Sequence, residues 1–260
     1  MELSFFQYSL VYNTLSLTIA VMLAAGVYFV ATLQQVNSEF RPALVVSALV
    51  VFIAAYHYFR IFNSWTGAFE LTGGAGGMAR AGQYVPGEGE PFNEAYRYAD
   101  WLVTVPLLLV EMVMVLDRRR SGGLLTKLVV ATVLMLGLGY IGEVQTSTTP
   151  RLVWGTLSTL PFVYIVAKVW NLLSEERRQH SGEVAELAGN MRYLLLLAWG
   201  WYPIVYLFPV LGLTGANTAV SLQIGYSIAD IVAKAGWGLM IHAVAVEKSS
   251  VDAAKATAAA

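Results

Sequence analysis

The chain has 260 residues, 57% of them hydrophobic and only 13% charged, with a formal net charge of −1 and a pI near 6.3. Charged side chains are about half as frequent as in a soluble domain, too few to cover a water-facing surface, so lipid must form part of the solvent. The balanced charge offers no basic field for nucleic acid, and the absence of cysteine excludes disulfides, thiolate metal sites, iron–sulfur clusters and cysteine nucleophiles.

A membrane-spanning helix takes about 20 apolar residues. Seven such runs follow one another, near 10–32, 42–64, 96–116, 124–142, 152–173, 192–213 and 217–246. The first starts almost at once, and Glu2 supplies no basic n-region of a cleaved signal peptide. The expectation is one all-α domain over residues 1–260, a seven-helix membrane bundle with its termini on opposite faces. Residues 71–90 contain Gly-Gly-Ala-Gly-Gly, Pro86 and two Gly-Glu pairs, the composition of a long flexible external loop. No Lys-Ser/Thr follows those glycines, so they form no phosphate cradle. Residues 249–260, ending in Ala-Thr-Ala-Ala-Ala, read as a disordered tail. Cations set the orientation. Arg41, Arg118, Arg119, Arg120, Lys127, Lys168, Arg177, Arg178, Arg192, Lys248 and Lys255 belong to the side of the loops after spans one, three and five and of the tail. Arg80 and Arg151 belong to the other side, and Arg60, Arg97 and Lys234 fall inside spans. The N-terminus is therefore expected outside and the C-terminus in the cytoplasm, in a multi-pass protein of the cell membrane.

Ionisable groups inside a span are costly, which makes each a functional candidate. In span three, Asp100 and Thr104 are four apart, so the hydroxyl can reach the carboxyl, and Arg97 lies three residues before Asp100 on the same face. Glu111 comes eleven residues after Asp100. That step returns to within about 20° of the same face, roughly 16 Å deeper. A cation, a hydroxyl and two carboxyls on one stripe point to a proton relay, with packing polars as the alternative. In span seven Asp230 and Lys234 share a face one turn apart. A desolvated lysine pairs, loses its proton or becomes covalently modified, and its amine is the raw material of a Schiff base; a structural ion pair is the other reading. His57, between Tyr56 and Tyr58, has no second histidine nearby in sequence for a metal site, and its special role would be to partner Asp100. Trp101, Trp154, Trp199, Tyr202 and Trp237 serve equally as core or as walls for a long apolar conjugated ligand, while Pro106 and Pro203 interrupt helices as bundles tolerate.

These residues fall into longer motifs. Arg97-Tyr-Ala-Asp-Trp-Leu-Val-Thr-Val-Pro-Leu-Leu-Leu-Val-Glu111 resembles the counterion helix of the microbial (type 1) rhodopsins. Asp230-Ile-Val-Ala-Lys234 is similar to their retinal-attachment segment, and Trp199-Gly-Trp-Tyr-Pro203 to their sixth-span signature, in the same order over nearly the whole chain. The resemblance implies all-trans retinal carried by Lys234 as a protonated Schiff base. It implies Asp100 as counterion and first proton acceptor, Asp230 as second counterion, and Arg97 screening both from outside. The implied pocket is Trp101, Thr104, Leu108, Met135, Gly139, Ser158, Thr159, Trp199, Tyr202 and Pro203.

Asp, Thr and Glu at 100, 104 and 111 resemble the pattern of the proteorhodopsin- and xanthorhodopsin-like outward proton pumps. Halide pumps of the family lack the first carboxylate, sodium pumps place Asn and Asp around that turn, and sensory relatives usually lack the last carboxyl. The resemblance thus implies Glu111 as proton donor from the cytoplasm and His57 as the partner of the acceptor. Tyr56-His-Tyr-Phe-Arg-Ile-Phe-Asn-Ser-Trp65, Phe92-Asn-Glu-Ala-Tyr-Arg-Tyr98 and Trp154-Gly-Thr-Leu-Ser-Thr-Leu-Pro161 look like the xanthorhodopsin-like group in particular. Gly155 stands where bacteriorhodopsin has tryptophan, which implies a lateral window where a carotenoid antenna can lie; the alternative is that glycine only eases helix packing. Leu108 matches the colour-tuning position of the green-absorbing form. Glu94 and Glu143 are external, and the loop 213–219 has no glutamate pair for early proton release. The chain is expected to be a light-driven ion pump rather than an enzyme, assembled as a trimer or pentamer in the bilayer, with protons as its cargo. A photosensor coupled to a transducer, a light-gated channel and a colourless seven-helix transporter are the alternatives.

Overall fold

The computed structural model describes residues 1–73, 82–116 and 121–258. Seven helical rods run in chain order: α1 (Phe5–Ala31), α2 (Arg41–Ala68), α3 (Ala95–Leu116), α4 (Ser121–Glu143), α5 (Thr148–Gln179), a sixth rod divided into α6 (Glu183–Trp199) and α7 (Trp201–Tyr206), and a seventh made of α8 (Ala216–Asp230), a π-helical turn (Ile231–Gly236) and α9 (Trp237–Ala258). Each rod packs against the next, and the seventh closes the ring against α1. This is the seven-helix bundle expected from the apolar runs.

Local chemistry sets the rod ends. Ser4 and Gln7 form a capping box at the start of α1, each side chain bonding the other's backbone. Pro42 opens the first turn of α2, where its missing N–H costs nothing. Among the described residues, six rods are long and apolar enough to cross a membrane. The sixth rod is divided at Gly200, because Pro203 has no N–H for the Trp199 carbonyl and the helix cannot run on unbroken. It also starts at Glu183, ahead of the apolar run beginning near 192, since its first turns carry Glu183, Glu186 and Arg192.

The bundle presents apolar side chains outward and encloses a set of charged and polar ones within its apolar core. Phe6, Leu17, Val27, Leu160 and Leu197 are exposed, as lipid-facing positions should be, while Arg97, Asp100, Thr104, Glu111, Gln223, Asp230 and Lys234 are all buried. Leu109, Met112, Ile165, Val169, Leu195 and Ile241 belong to the largest apolar cluster, contributed by α3, α5, α6 and α9.

Two expectations need correction. The segment 71–90 is not simply a flexible loop: β2 (Phe69–Thr72) pairs antiparallel with β3 (Gln83–Pro86), which pairs in turn with β1 (Leu3–Ser4). Aromatic packing holds this small sheet on the bundle, with Tyr84 stacked on Tyr8 at 3.6 Å and Phe69 beside Trp65 at 4.8 Å between ring centroids. The glycine-rich tip obscures the alternating strands that flank it. Most of that tip, with Arg80, lies outside the described residues, as do Arg118, Arg119 and Arg120. Nor is 249–258 disordered, because α9 continues to Ala258 through alanines and Lys255, which favour helix; 259–260 lie outside the described residues.

Candidate functional site

Lys234 lies in the π-helical turn of the seventh rod, where one extra residue per turn widens the helix. Its ammonium is 2.7 Å from Asp230 Oδ1, one turn back on the same rod, and 3.0 Å from Asp100 Oδ2 on α3. All three side chains are at most 2% exposed. A buried cation between two buried anions leaves one net negative charge, so further donors or a compensating cation must be close.

The two aspartates meet that need differently. Asp230 is fully dressed: the Tyr58 hydroxyl donates to Oδ2 at 2.8 Å, and the Tyr202 hydroxyl and the Trp101 indole donate to Oδ1 at 2.5 and 3.2 Å. Asp100 accepts no such hydrogen bond among the described residues. Apart from Lys234, its polar neighbour is His57, whose Nδ1 lies 3.6 Å from Oδ1, beyond hydrogen-bond length, while the same nitrogen is 3.1 Å from the Ile53 carbonyl. His57 and Asp100 thus meet within one chain.

Two details differ from the expectation. Thr104 gives its hydroxyl to the backbone carbonyl of Asp100 at 2.9 Å, not to the carboxyl. A threonine inside a helix commonly bonds the carbonyl four residues back, and here that preference wins. Arg97 reaches Asp230 through Tyr58: one guanidinium nitrogen donates to the Tyr58 hydroxyl at 3.0 Å, and the other to Gln223 at 2.5 Å. Gln223 then donates to Glu94 at 2.5 Å, so the polar network continues from Asp230 to the mouth of the bundle. Glu111 stands apart. It is fully buried with no hydrogen-bond partner for either oxygen among the described residues, and Ser47 of α2 is its polar neighbour.

A cavity of about 350 Å³ begins at Lys234 and Asp230. Of the residues named for the pocket, Trp101, Leu108, Met135, Gly139, Ser158, Thr159, Trp199, Tyr202 and Pro203 line it and Thr104 does not; Gly155, named for a lateral window, lines it too. The walls also include Tyr98, Phe162, Tyr206 and Tyr226. Helical spacing could have found three of these, since Phe162 is four residues after Ser158, Tyr206 four after Tyr202, and Tyr226 four before Asp230. Tyr58 carried no signal beyond its place beside His57. Gly139 gives a close fit where α4 meets α5: a Cβ there would lie 3.2 Å from the Ser158 hydroxyl. At Gly155 the freed space holds the Tyr206 ring, which a Cβ would strike, so this position is a close contact rather than an open slot. The Tyr206 hydroxyl donates to the Arg151 carbonyl at 2.7 Å and anchors the ring there. An apolar, aromatic cavity ending at a buried lysine fits a long conjugated molecule attached through that amine.

Comparison with known proteins agrees with this geometry. The family described as bacteriorhodopsin-like protein matches residues 10–248. A green-light absorbing proteorhodopsin from Gamma-proteobacterium EBAC31A08 is 30% identical over 90% of this chain and 86% of its own length. Among solved structures, thermophilic rhodopsin is 50% identical with a TM-score of 0.87, covering 96% of this chain and 98% of its own. Xanthorhodopsin, described as a light-driven ion pump with dual chromophore, is 45% identical with a TM-score of 0.89, covering 97% of this chain and 98% of its own. Its lysine-tipped cavity, its seven-helix ring and these matches place the chain in the bacteriorhodopsin-like family, among the microbial (type 1) rhodopsins.

Proposed function

We propose that this chain is a light-driven outward proton pump that carries all-trans retinal on Lys234. The observation that carries the reading is the unequal treatment of two carboxylates on one buried lysine, with a third carboxyl, Glu111, buried apart from both on the helix that holds Asp100. Its similarity to a proteorhodopsin and to xanthorhodopsin, a light-driven ion pump, supports the same conclusion.

Lys234 holds the retinal, and Trp101, Leu108, Met135, Gly139, Ser158, Thr159, Trp199, Tyr202 and Pro203 enclose it. When bound, retinal supplies the absorption of light and the isomerisation that changes which carboxyl the Lys234 nitrogen faces. Asp100, with its lone pairs open, takes the proton from that nitrogen. Asp230 keeps its charge, because Tyr58, Tyr202 and Trp101 already satisfy it, and remains the fixed counterion. Arg97, coupled to Asp230 through Tyr58, holds positive charge on the outer side and opposes return of the released proton. His57 supports the charge on Asp100 from α2, and Thr104 secures the backbone at that turn. Glu111 then gives its proton to the Lys234 nitrogen and is refilled from the cytoplasm, so one proton leaves outside for each that enters inside.

The cation distribution supports the direction, with Lys and Arg concentrated at the cytoplasmic ends. The bilayer surrounds the bundle, and the exposed apolar faces of α4 and α5 suit a homo-oligomer, a trimer or pentamer. A carotenoid antenna is a further part of the proposal. It would lie on the outer side of Gly155 and Tyr206, a reading supported by the dual chromophore named for xanthorhodopsin. Energy transfer, measured as a carotenoid band in the action spectrum of pumping, tests it; an action spectrum that follows retinal alone rejects it.

The pump reading is tested by adding all-trans retinal to the apoprotein and recording photocurrents in a planar membrane. A coloured protein whose stationary current keeps its outward sign at every voltage is expected, and Lys234→Ala should remain colourless. A current that reverses with voltage would make the protein a channel, and a coloured protein without current would make it a sensor.

A further inference from the structure

A second buried charge cluster lies at the opposite end of the bundle from Glu94. Lys248 of α9 is 2.5 Å from Glu176 of α5, and its ammonium donates to the backbone carbonyl of Val115 on α3 at 2.9 Å. Lys248 and Glu176 are 7% and 3% exposed. His180 Nδ1 lies 3.3 Å from Glu176 and is one-third exposed, so it forms the water-facing edge of the cluster. The next residue, Ser249, accepts from the Asn37 backbone N–H at 2.9 Å, which ties the turn between α1 and α2 to the same point.

Two features give this cluster meaning. Val115 is one turn beyond Glu111 on α3, about 6 Å along the axis. The pair therefore sits between the buried Glu111 and water. Toward Glu111 the described neighbours are apolar: Met112, Leu173, Val244 and Ala245 are fully buried in one apolar cluster, Leu173 and Val244 about one turn from Glu176 and Lys248 on their own helices. A buried ion pair is seldom more stable than apolar side chains of the same volume, so stability alone does not account for charge at this place. What an ion pair adds over hydrocarbon is a link that two helices can break and remake as a unit.

We propose that the Lys248–Glu176 pair, anchored on the Val115 carbonyl, is the gate between Glu111 and the cytoplasm. It is closed in the dark and opens by parting α3, α5 and α9 when Glu111 is refilled. The inference rests on Glu111 as the donor, and these residues act through access to Glu111 rather than by carrying the proton. The gate explains how a carboxyl can be sealed in hydrocarbon at rest and yet take its proton from one side only.

The test is the rate at which the Glu111 carboxyl exchanges its proton in the dark. It is followed in the intact pigment by the infrared C=O band on transfer to deuterium oxide, the band being assigned by its loss in Glu111→Gln. Lys248→Met and Glu176→Gln should each exchange severalfold faster than the parent, Lys248→Arg should stay slow, and all should keep the parent colour. If single variants fail to assemble because a charge is left unpaired, Lys248→Ala combined with Glu176→Ala removes both the charges and the volume that closes the gate and should also exchange faster. Equal rates in parent and variants would overturn the gate while leaving Glu111 as donor. Slower exchange would also overturn it, because the cluster would then be a carrier. A dark protein with no protonated Glu111 band would remove the donor role itself, and the gate with it.

Discussion

Lys234 shares its charge between Asp100 and Asp230, and what separates the two aspartates is the number of donors around each. Asp230 has Tyr58, Tyr202 and Trp101; Asp100 has none of them and only His57 at 3.6 Å. That difference is what assigns the acceptor role to Asp100 in the proposed pump. Asp100→Asn should abolish pumping and shift absorption to the red, because the anion that stabilises the ground state is gone; normal transport in that variant would contradict the assignment. Glu111→Gln should keep the colour but slow the last phase of the photocycle, and azide, a small diffusible acid, should restore it. Flash spectroscopy decides, and an unchanged late phase would remove Glu111 from the donor role. The charged members of the site were legible in the sequence because Asp, Glu and Lys are conspicuous in apolar runs. Their neutral partners were not. Tyr58, Gln223 and Tyr226 look like ordinary helix residues until the fold brings them to Arg97 and Asp230. The Thr104 hydroxyl could equally serve carboxyl or carbonyl by spacing, and only the local rotamer separates them.

At the scale of helices, three irregularities shape the cavity. The π-helical turn carries Lys234, the break at Gly200 lets Trp199, Tyr202 and Pro203 line the wall, and glycines let rings approach neighbouring backbones. A Cβ at Gly238 on α9 would lie 2.6 Å from the ring of Phe29 on α1, a side chain with no exposed surface to retreat into. Gly238→Ala should therefore cost about 1–3 kcal/mol by overpacking. Thermal bleaching of the pigment would show it as a lower transition temperature, and an unchanged one would mean α1 yields easily. Leu108 lines the cavity from α3, and Leu108→Gln should shift absorption to the blue by placing a polar group against the ligand; an unmoved peak would contradict its place there. The rods themselves were readable from apolar runs. The hairpin at 69–86 was hidden by its glycines, and the helical ends of the fifth, sixth and seventh rods by polar residues beyond the hydrocarbon. A hydropathy reading stops where the lipid does, whereas the helix need not.

Among the described residues, two buried polar systems lie on either side of Glu111. One runs from Lys234 through Asp230, Tyr58, Arg97 and Gln223 to Glu94; the other joins Lys248, Glu176 and His180. Glu111 lies between them and joins neither, with Ser47 of α2 as its polar neighbour. That arrangement suits a pump, which must never open a continuous polar path, better than a channel, which needs one. By the cation bias the C-terminus is expected to face the cytoplasm. A C-terminal tag should be digested by protease in inside-out vesicles and protected in intact cells; the reverse would invert the direction of transport assigned to every residue above.

The most direct measurement is the light-induced pH change of an unbuffered suspension of cells that make this chain and are supplied with all-trans retinal. The expected result is reversible acidification of the medium that a protonophore abolishes and that Asp100→Asn lacks. A coloured protein that leaves the pH unchanged, or turns the medium alkaline with the protonophore absent, would contradict outward proton pumping.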